Sequence, residues 1–254
     1  MPNDFQHNII CLMKKICAIA ILPFLLLIIS ATVPLAKKPS VLIFSKTNGY
    51  HHACIPVGIL AIQKLGEANG FSVDTTTDSL SFTEKNLKKY SAVIFLCPTG
   101  KVFGPDQEQA FQKYIQQGGG YVGIHSATDC EYNWPWYGKL SGAYFKSHPG
   151  QQEAKLIVVD KNHPSTAGMP DTWVRKDEWY NFKDLNPDVT VLIKIDESSY
   201  KGGENGDNHP MAWYHNFDGG RAFYTEMGHT DESYSDPVYL KHLLGGIEWA
   251  IGKP

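Results

Sequence analysis

Three short runs of this chain, at 40–46, 91–97 and 121–125, are almost continuously apolar and rich in β-branched and aromatic residues. A strand with one wet face alternates polar and apolar side chains. These runs do not alternate, so both of their faces must be covered, which is the condition of strands in a parallel sheet packed between helices. The intervening segments supply the helices. Residues 55–69 place Ile55, Ile59, Ile62 and Leu65 on one stripe and stop at Asn69-Gly70. Phe71–Thr75 reads as a second strand and Thr83–Tyr90 as a short helix capped by Thr83. Pro105–Gln117 reads as a helix that ends in Gly118-Gly119-Gly120. Strand and helix alternating at this spacing predict an α/β fold with a doubly wound, mostly parallel sheet.

After residue 150 the rhythm changes. Strand-like runs follow at 154–159, 177–182, 189–195, 211–217 and 221–226, joined by Gly- and Pro-containing turns. Residues 237–251 close the chain as a helix with Leu240, Leu243, Leu244 and Ile247 on its core face. There is no repeat and no stretch of linker composition, so a single domain is expected over 37–254.

The first 36 residues are read as an address. Lys14-Lys15 precede 14 apolar residues, Ile16–Ile29, and small residues follow at Ser30, Ala31 and Ala36. Basic, apolar and small segments in that order describe a secretory signal. The run falls short of the roughly 20 residues needed to cross a bilayer, although extended through Ala36 it would serve as an uncleaved anchor. A periplasmic or secreted location is expected, with the membrane met only through this segment. Of five cysteines, Cys54, Cys97 and Cys130 lie beyond it, an odd number without C-x-x-C spacing. A disulfide scaffold, redox motif or zinc finger is therefore not expected, and buried thiols are. With 23 Lys+Arg against 26 Asp+Glu and no basic cluster, nucleic acid is a poor electrostatic partner.

Open α/β sheets bind ligands beyond the carboxyl ends of their strands. Polar residues crowd there: Asn48–His52 after the first strand, Pro98–Lys101 after the third and His125–Asp129 after the fourth. Nine of the ten histidines lie beyond the leader, mostly at predicted strand ends. Histidine and carboxylate in that position are the material of acid–base or metal chemistry. His125 ends the fourth strand in Gly123-Ile124-His125-Ser126-Ala127, the shape of a nucleophile elbow with histidine in the presenting position. It can bind a metal, act as a base or be held structurally; Ser126, one place off, is a weaker nucleophile candidate.

His229 follows a strand through Met227-Gly228, with Asp231 two residues on to orient it. In Asp177-Glu178-Trp179-Tyr180, read as a strand, alternation sends the two acids to opposite faces, and Glu178 is taken as the site acid. His148 and His52 are further candidate metal ligands; His163-Pro164 is read as a turn, His209-Pro210 as a ligand or a turn, and His242 as structural or solvated. Tyr50, Trp134, Trp136, Trp179 and Trp213 are candidate sugar-stacking rings, since flat aromatic faces suit the C–H faces of sugars; core packing is the alternative for each. No G-x-G-x-x-G after the first strand, no P-loop and no H-E-x-x-H occurs, so no nucleotide cofactor is expected.

Taken in order, Asn48-Gly49-Tyr50-His51-His52, Gly118–Ala127, His148-Pro149, His163-Pro164, Asp177-Glu178-Trp179-Tyr180, His209–Trp213, Gly219–Tyr224 and Gly228-His229 resemble the ThuA-like (trehalose-utilisation) family across roughly residues 40–252. The resemblance implies a flavodoxin-like sheet of the class I glutamine-amidotransferase-like superfamily. Amidotransferases carry their nucleophilic Cys at the elbow, where this chain has His125, so glutaminase activity is not expected; Cys130 lies five residues beyond. The family name and its association with keto-sugar-forming oxidoreductases imply a carbohydrate substrate. Two functions stay open. One is an exported enzyme that hydrolyses, eliminates from or isomerises a sugar or keto-glycoside, with His125, His229 and Glu178 catalytic and a divalent metal such as zinc at His52, His125, His148 and His229. The other is a non-catalytic carbohydrate-binding or accessory protein.

Overall fold

The computed structural model describes residues 38–253. The expected leader, with His7, Cys11 and Cys17, lies outside them. Among the described residues no helix is long and apolar enough to cross a membrane. The order of elements is β1 (Ser40–Phe44), α1 (Ile55–Asn69), β2 (Ser72–Thr76), α2 (Glu84–Leu87), β3 (Ala92–Leu96), α3 (Pro105–Gln116), β4 (Gly120–Ile124) and α4 (Pro135–Ser141). Then come β5 (Tyr144–Ser147), β6 (Gln152–Val158), β7 (Thr172–Asp177), β8 (Asn181–Lys183), β9 (Thr190–Ile195), β10 (Pro210–Phe217), β11 (Gly220–Thr225) and α5 (Pro237–Ala250).

Nine strands form one sheet in the order β2-β1-β3-β4-β11-β10-β9-β6-β7, and β5 and β8 pair separately. The first five are mutually parallel, in the 2-1-3-4-5 order of a flavodoxin-like sheet. The rest is antiparallel, so parallel strands make up only one half of a mixed sheet. The expected fully buried strands β3 and β4 are buried at every residue. On one face Phe44 and Phe95 pack against Phe82, Phe103 and Phe111 of the α3 side. On the other, α5 lies so close that a Cβ on Gly246 would strike the Phe223 ring, which is why the helix interior carries glycine there.

Two elements escape the sequence pattern for a physical reason. In β7 the inward side chains are Trp173, Arg175 and Asp177, while Val174 faces solvent at 57% exposure, so two charged residues are buried where a valine is not. The strand expected over 177–182 does not exist; β7 ends at Asp177, and 178–180 turn away before β8. The alternation argument for Asp177 and Glu178 therefore fails, and both side chains are buried.

His242 is not solvated. It is wholly buried in α5, and its Nδ1 donates to the Ser165 carbonyl at 3.1 Å. Burial pulls it down to about 3, and pulls His163 and His215 down to about 4. Between those values and the ordinary 6.5 the unfolded chain binds protons that the folded chain refuses. This stabilisation is thus complete above pH 6.5 and is lost as pH falls, at up to about 1.4 kcal/mol per pH unit for each group. His242→Asn, which keeps a donor toward Ser165, should flatten the acid limb by roughly that amount in urea unfolding series between about pH 4.5 and 6; an unchanged slope would show that His242 does not stay neutral.

Candidate functional site

Four residues from four separate loops meet at the carboxyl edge of the sheet. His52 lies between β1 and α1, His125 directly after β4, Glu178 directly after β7 and His229 just past β11. Counting directions across the sheet, β7 runs parallel to β11, so its end reaches the same edge. The antiparallel half must curl to bring it back, and Asp177 shows how. Its carboxylate accepts the Gly228 and His229 N–H groups at 3.1 and 3.2 Å, its neighbour Glu178 N–H at 3.0 Å, the Arg175 guanidinium at 2.9 Å and the Ser233 hydroxyl at 3.3 Å. The chain can make this approach because Gly228, at φ +116°, carries no Cβ to strike the Tyr239 hydroxyl.

His125 occupies the elbow with a left-handed backbone, φ +51°, a conformation that costs a non-glycine residue on the order of 1–3 kcal/mol. Its carbonyl is pinned by the Tyr224 hydroxyl at 2.7 Å. The ring is wholly buried, and its Nδ1 donates to the Glu226 carbonyl at 2.8 Å. That bond fixes the proton of a neutral ring on Nδ1 and turns the Nε2 lone pair into the cluster. There Nε2 lies 3.0 Å from His229 Nδ1 and 3.4 Å from Glu178 Oε2, and the last two atoms are 3.1 Å apart. The His52 ring stands edge-on to both imidazoles, its Nδ1 3.4 Å from the Ser126 hydroxyl. One donor atom from each of the four residues lies within 4.8 Å of all the others.

Two imidazole nitrogens and a carboxylate oxygen this close repel unless a cation sits among them. A proton can fill that role: burial pulls His125 down, but hydrogen bonding to Glu178 and Glu226 overrides it and lifts the ring to about 10. Burial pushes Glu178 up, yet His125 and His229 carry it well below the carboxylate range. A metal ion can fill it too. Ligands about 2.0–2.1 Å from a tetrahedral ion lie roughly 3.3 Å from one another, and the three closest donor atoms already have that spacing. Burial, then the charges of His125 and His229, lower His52 to about 2, leaving it neutral with a lone pair to offer. The set of three imidazoles and one carboxylate can therefore hold a metal.

The remaining candidates fall elsewhere. His148 is not in the cluster; its half-exposed ring sits with Nδ1 3.3 Å from Glu178 Oε1, the oxygen on the outer side. Asp231 is exposed and does not orient His229, a task that falls to Glu178 through the ring and Asp177 through the backbone. Trp179 and Trp213 are fully buried, with indole N–H groups bound to the Gln152 and Ser141 carbonyls, so neither can meet a sugar. Trp136 donates to Asp218, in the turn that precedes β11 at the amino end of the sheet, and Trp134 stacks on it. Tyr50, 65% exposed and 4.8 Å edge-on to His52, does stand on the rim.

Sequence reasoning gives Arg175 and Glu226 no role and sets Asp177 aside in favour of Glu178. Asp177 and Arg175 are hidden by the inverted pattern of β7. Glu226 carries a signal, a carboxylate ending an apolar strand: it is fully buried, and burial lifts it to about 7.

The ThuA family profile, described as trehalose utilisation, matches residues 40–250. A ThuA-like protein from Bacteroides uniformis is 28% identical over 85% of this chain and 93% of its own, with a TM-score of 0.72. One from Parabacteroides merdae is 22% identical over 85% and 90%, with a TM-score of 0.71. A GMP synthase protein from Thermoplasma acidophilum shares the fold at 10% identity over 84% and 96%, with a TM-score of 0.50. No curated protein sequence matches.

Because Asp177 is a wholly buried anion gathering donors from β7, the loop after β11 and the turn at Ser233, Asp177→Asn should cost about 3–5 kcal/mol in urea unfolding, against less than about 1 kcal/mol for the exposed Asp231→Asn. Equal effects would remove Asp177 from its place in the fold.

Proposed function

The chain belongs to the ThuA, trehalose-utilisation, family, and from that premise we propose that it is an exported, metal-dependent enzyme acting on a sugar or keto-glycoside. The observation that carries this reading is the convergence of His52, His125, Glu178 and His229 within 4.8 Å at the sheet edge. A binding module needs surface rings and polar contacts; it does not need three buried imidazoles facing a carboxylate at ligand spacing. The apolar stretch Ile16–Ile29 behind Lys14-Lys15 supports delivery to the periplasm or medium. A small carbohydrate is the partner, as the family description suggests.

His52, His125, Glu178 and His229 would hold a divalent ion such as zinc, which would supply a Lewis acid there. The protein's own groups divide the remaining work. Glu226 holds the His125 ring by its backbone carbonyl, and Ser126 pairs with His52. Glu178 turns Oε2 inward to His125 and His229, and Oε1 outward to His148. The half-exposed His148 stands where a proton can pass between solvent and the inner carboxylate, and Tyr50 offers a ring face at the rim. Hydrolysis, elimination and isomerisation of a keto-sugar all need such a proton-handling pair beside a polarised oxygen. The elbow itself excludes the amidotransferase route, since an imidazole in place of the thiol cannot form its thioester.

Purified full-length protein, metal-replete and then dialysed, should retain close to one equivalent of a divalent ion by elemental mass spectrometry. His125→Ala and Glu178→Ala should lose it, and a keto-glycoside panel should show turnover falling at least ~100-fold in both variants. Metal-free parent protein under those conditions would overturn the metal-dependent reading. Retained metal with no turnover of any carbohydrate would overturn the enzymatic one.

A further inference from the structure

Directly behind the cluster lie two thiols that the reading above does not use. Cys54 comes two residues after His52 and immediately precedes α1; Cys97 follows the last residue of β3. Their Sγ atoms are 3.9 Å apart, and both side chains are buried. Cys54 Sγ also lies 3.3 Å from the carbonyl of Gly228, the residue before His229. Cys97 holds a left-handed backbone, φ +48°, unusual for a residue with a Cβ. The third thiol, Cys130, is equally buried but takes no part in this contact, so among the described residues the odd cysteine count resolves into one pair and one single.

From this juxtaposition we propose that Cys54 and Cys97 are a disulfide modification site that ties the loop carrying His52 to the end of β3. The chemistry is thiol–disulfide exchange with an oxidant of the disulfide class. The Cys54 thiolate attacks the oxidant's S–S bond and expels one thiolate; Cys97 then attacks the mixed disulfide and expels the second. The protein loses two protons and two electrons, and the oxidant becomes two thiols. Burial keeps oxidant away from the folded pair, so the exchange belongs to folding, before α1 closes over β3. The link would restrain a sequence separation of 43 residues in the unfolded chain and hold His52 beside His125 and His229. That the cell supplies the oxidant rests on the export proposed above, whereas the pairing is read on purified protein, so the two fail separately.

The test is to refold the full-length chain from urea with excess glutathione disulfide, alkylate the remaining thiols under denaturing conditions and map the peptides by mass spectrometry. A Cys54–Cys97 bridge with Cys130 alkylated is expected, together with a Tm roughly 5–15 °C above that of the reduced protein. Cys97→Ser should abolish both the bridge and the reductant-sensitive part of the Tm, while Cys130→Ser should keep both. Cys54 and Cys97 both alkylated, or either of them bridged to another cysteine, would overturn the proposal. A bridge without any gain in Tm would overturn its role as a restraint.

Discussion

The buried carboxylate of Asp177 is what turns a long mixed sheet into a site. A flavodoxin-like half places the ends of β1, β4 and β11 along one edge without help. The ninth strand, at the far side of an antiparallel extension, has no such obligation. By collecting backbone N–H groups from the loop after β11 and the guanidinium of Arg175, Asp177 joins the outermost strand to the middle of the sheet. Glu178 comes with it. Without that closure three histidines would face one another and no carboxylate.

The polar residues at the edge then fall into layers. Innermost are Glu226 and Ser126, which hold rings in place. Next come the four convergent donors, and outermost His148 and Tyr50, which meet solvent. Burial and the neighbouring imidazoles keep His52 neutral, whereas hydrogen bonding to Glu178 and Glu226 makes His125 attract a cation. The sheet presents the elbow residue, and here that residue is an imidazole, His125.

Most of the parallel half is legible in the sequence, because strands covered on both faces leave unbroken apolar runs and helices leave stripes. His125 and His229 are legible for the same reason, as polar residues at the ends of such runs. Legibility fails where burial and hydrophobicity part company. β7 turns Arg175 and Asp177 inward and Val174 outward, and no periodicity in residue type reports that. Trp179 and Trp213 read in the sequence as either stacking or core residues, and their indoles satisfy backbone carbonyls in the core. A single sequence shows that an indole is amphipathic, not which partner satisfies its N–H. The separation of Trp136 from His125 is likewise a property of the folded sheet, since the chain distance between them is short.

The same inverted strand has a bearing on how molecules of this protein behave in a crowd. β7 is an outer strand of the sheet, and an outer strand offers unpaired backbone groups to any neighbour with a free edge. Adding a foreign strand there favours a flat, freely sliding partner. A slip of one residue would drive Arg175 and Asp177 out of their bonds and press Lys176 into the interior. Charges turned inward thus hold this border in one register.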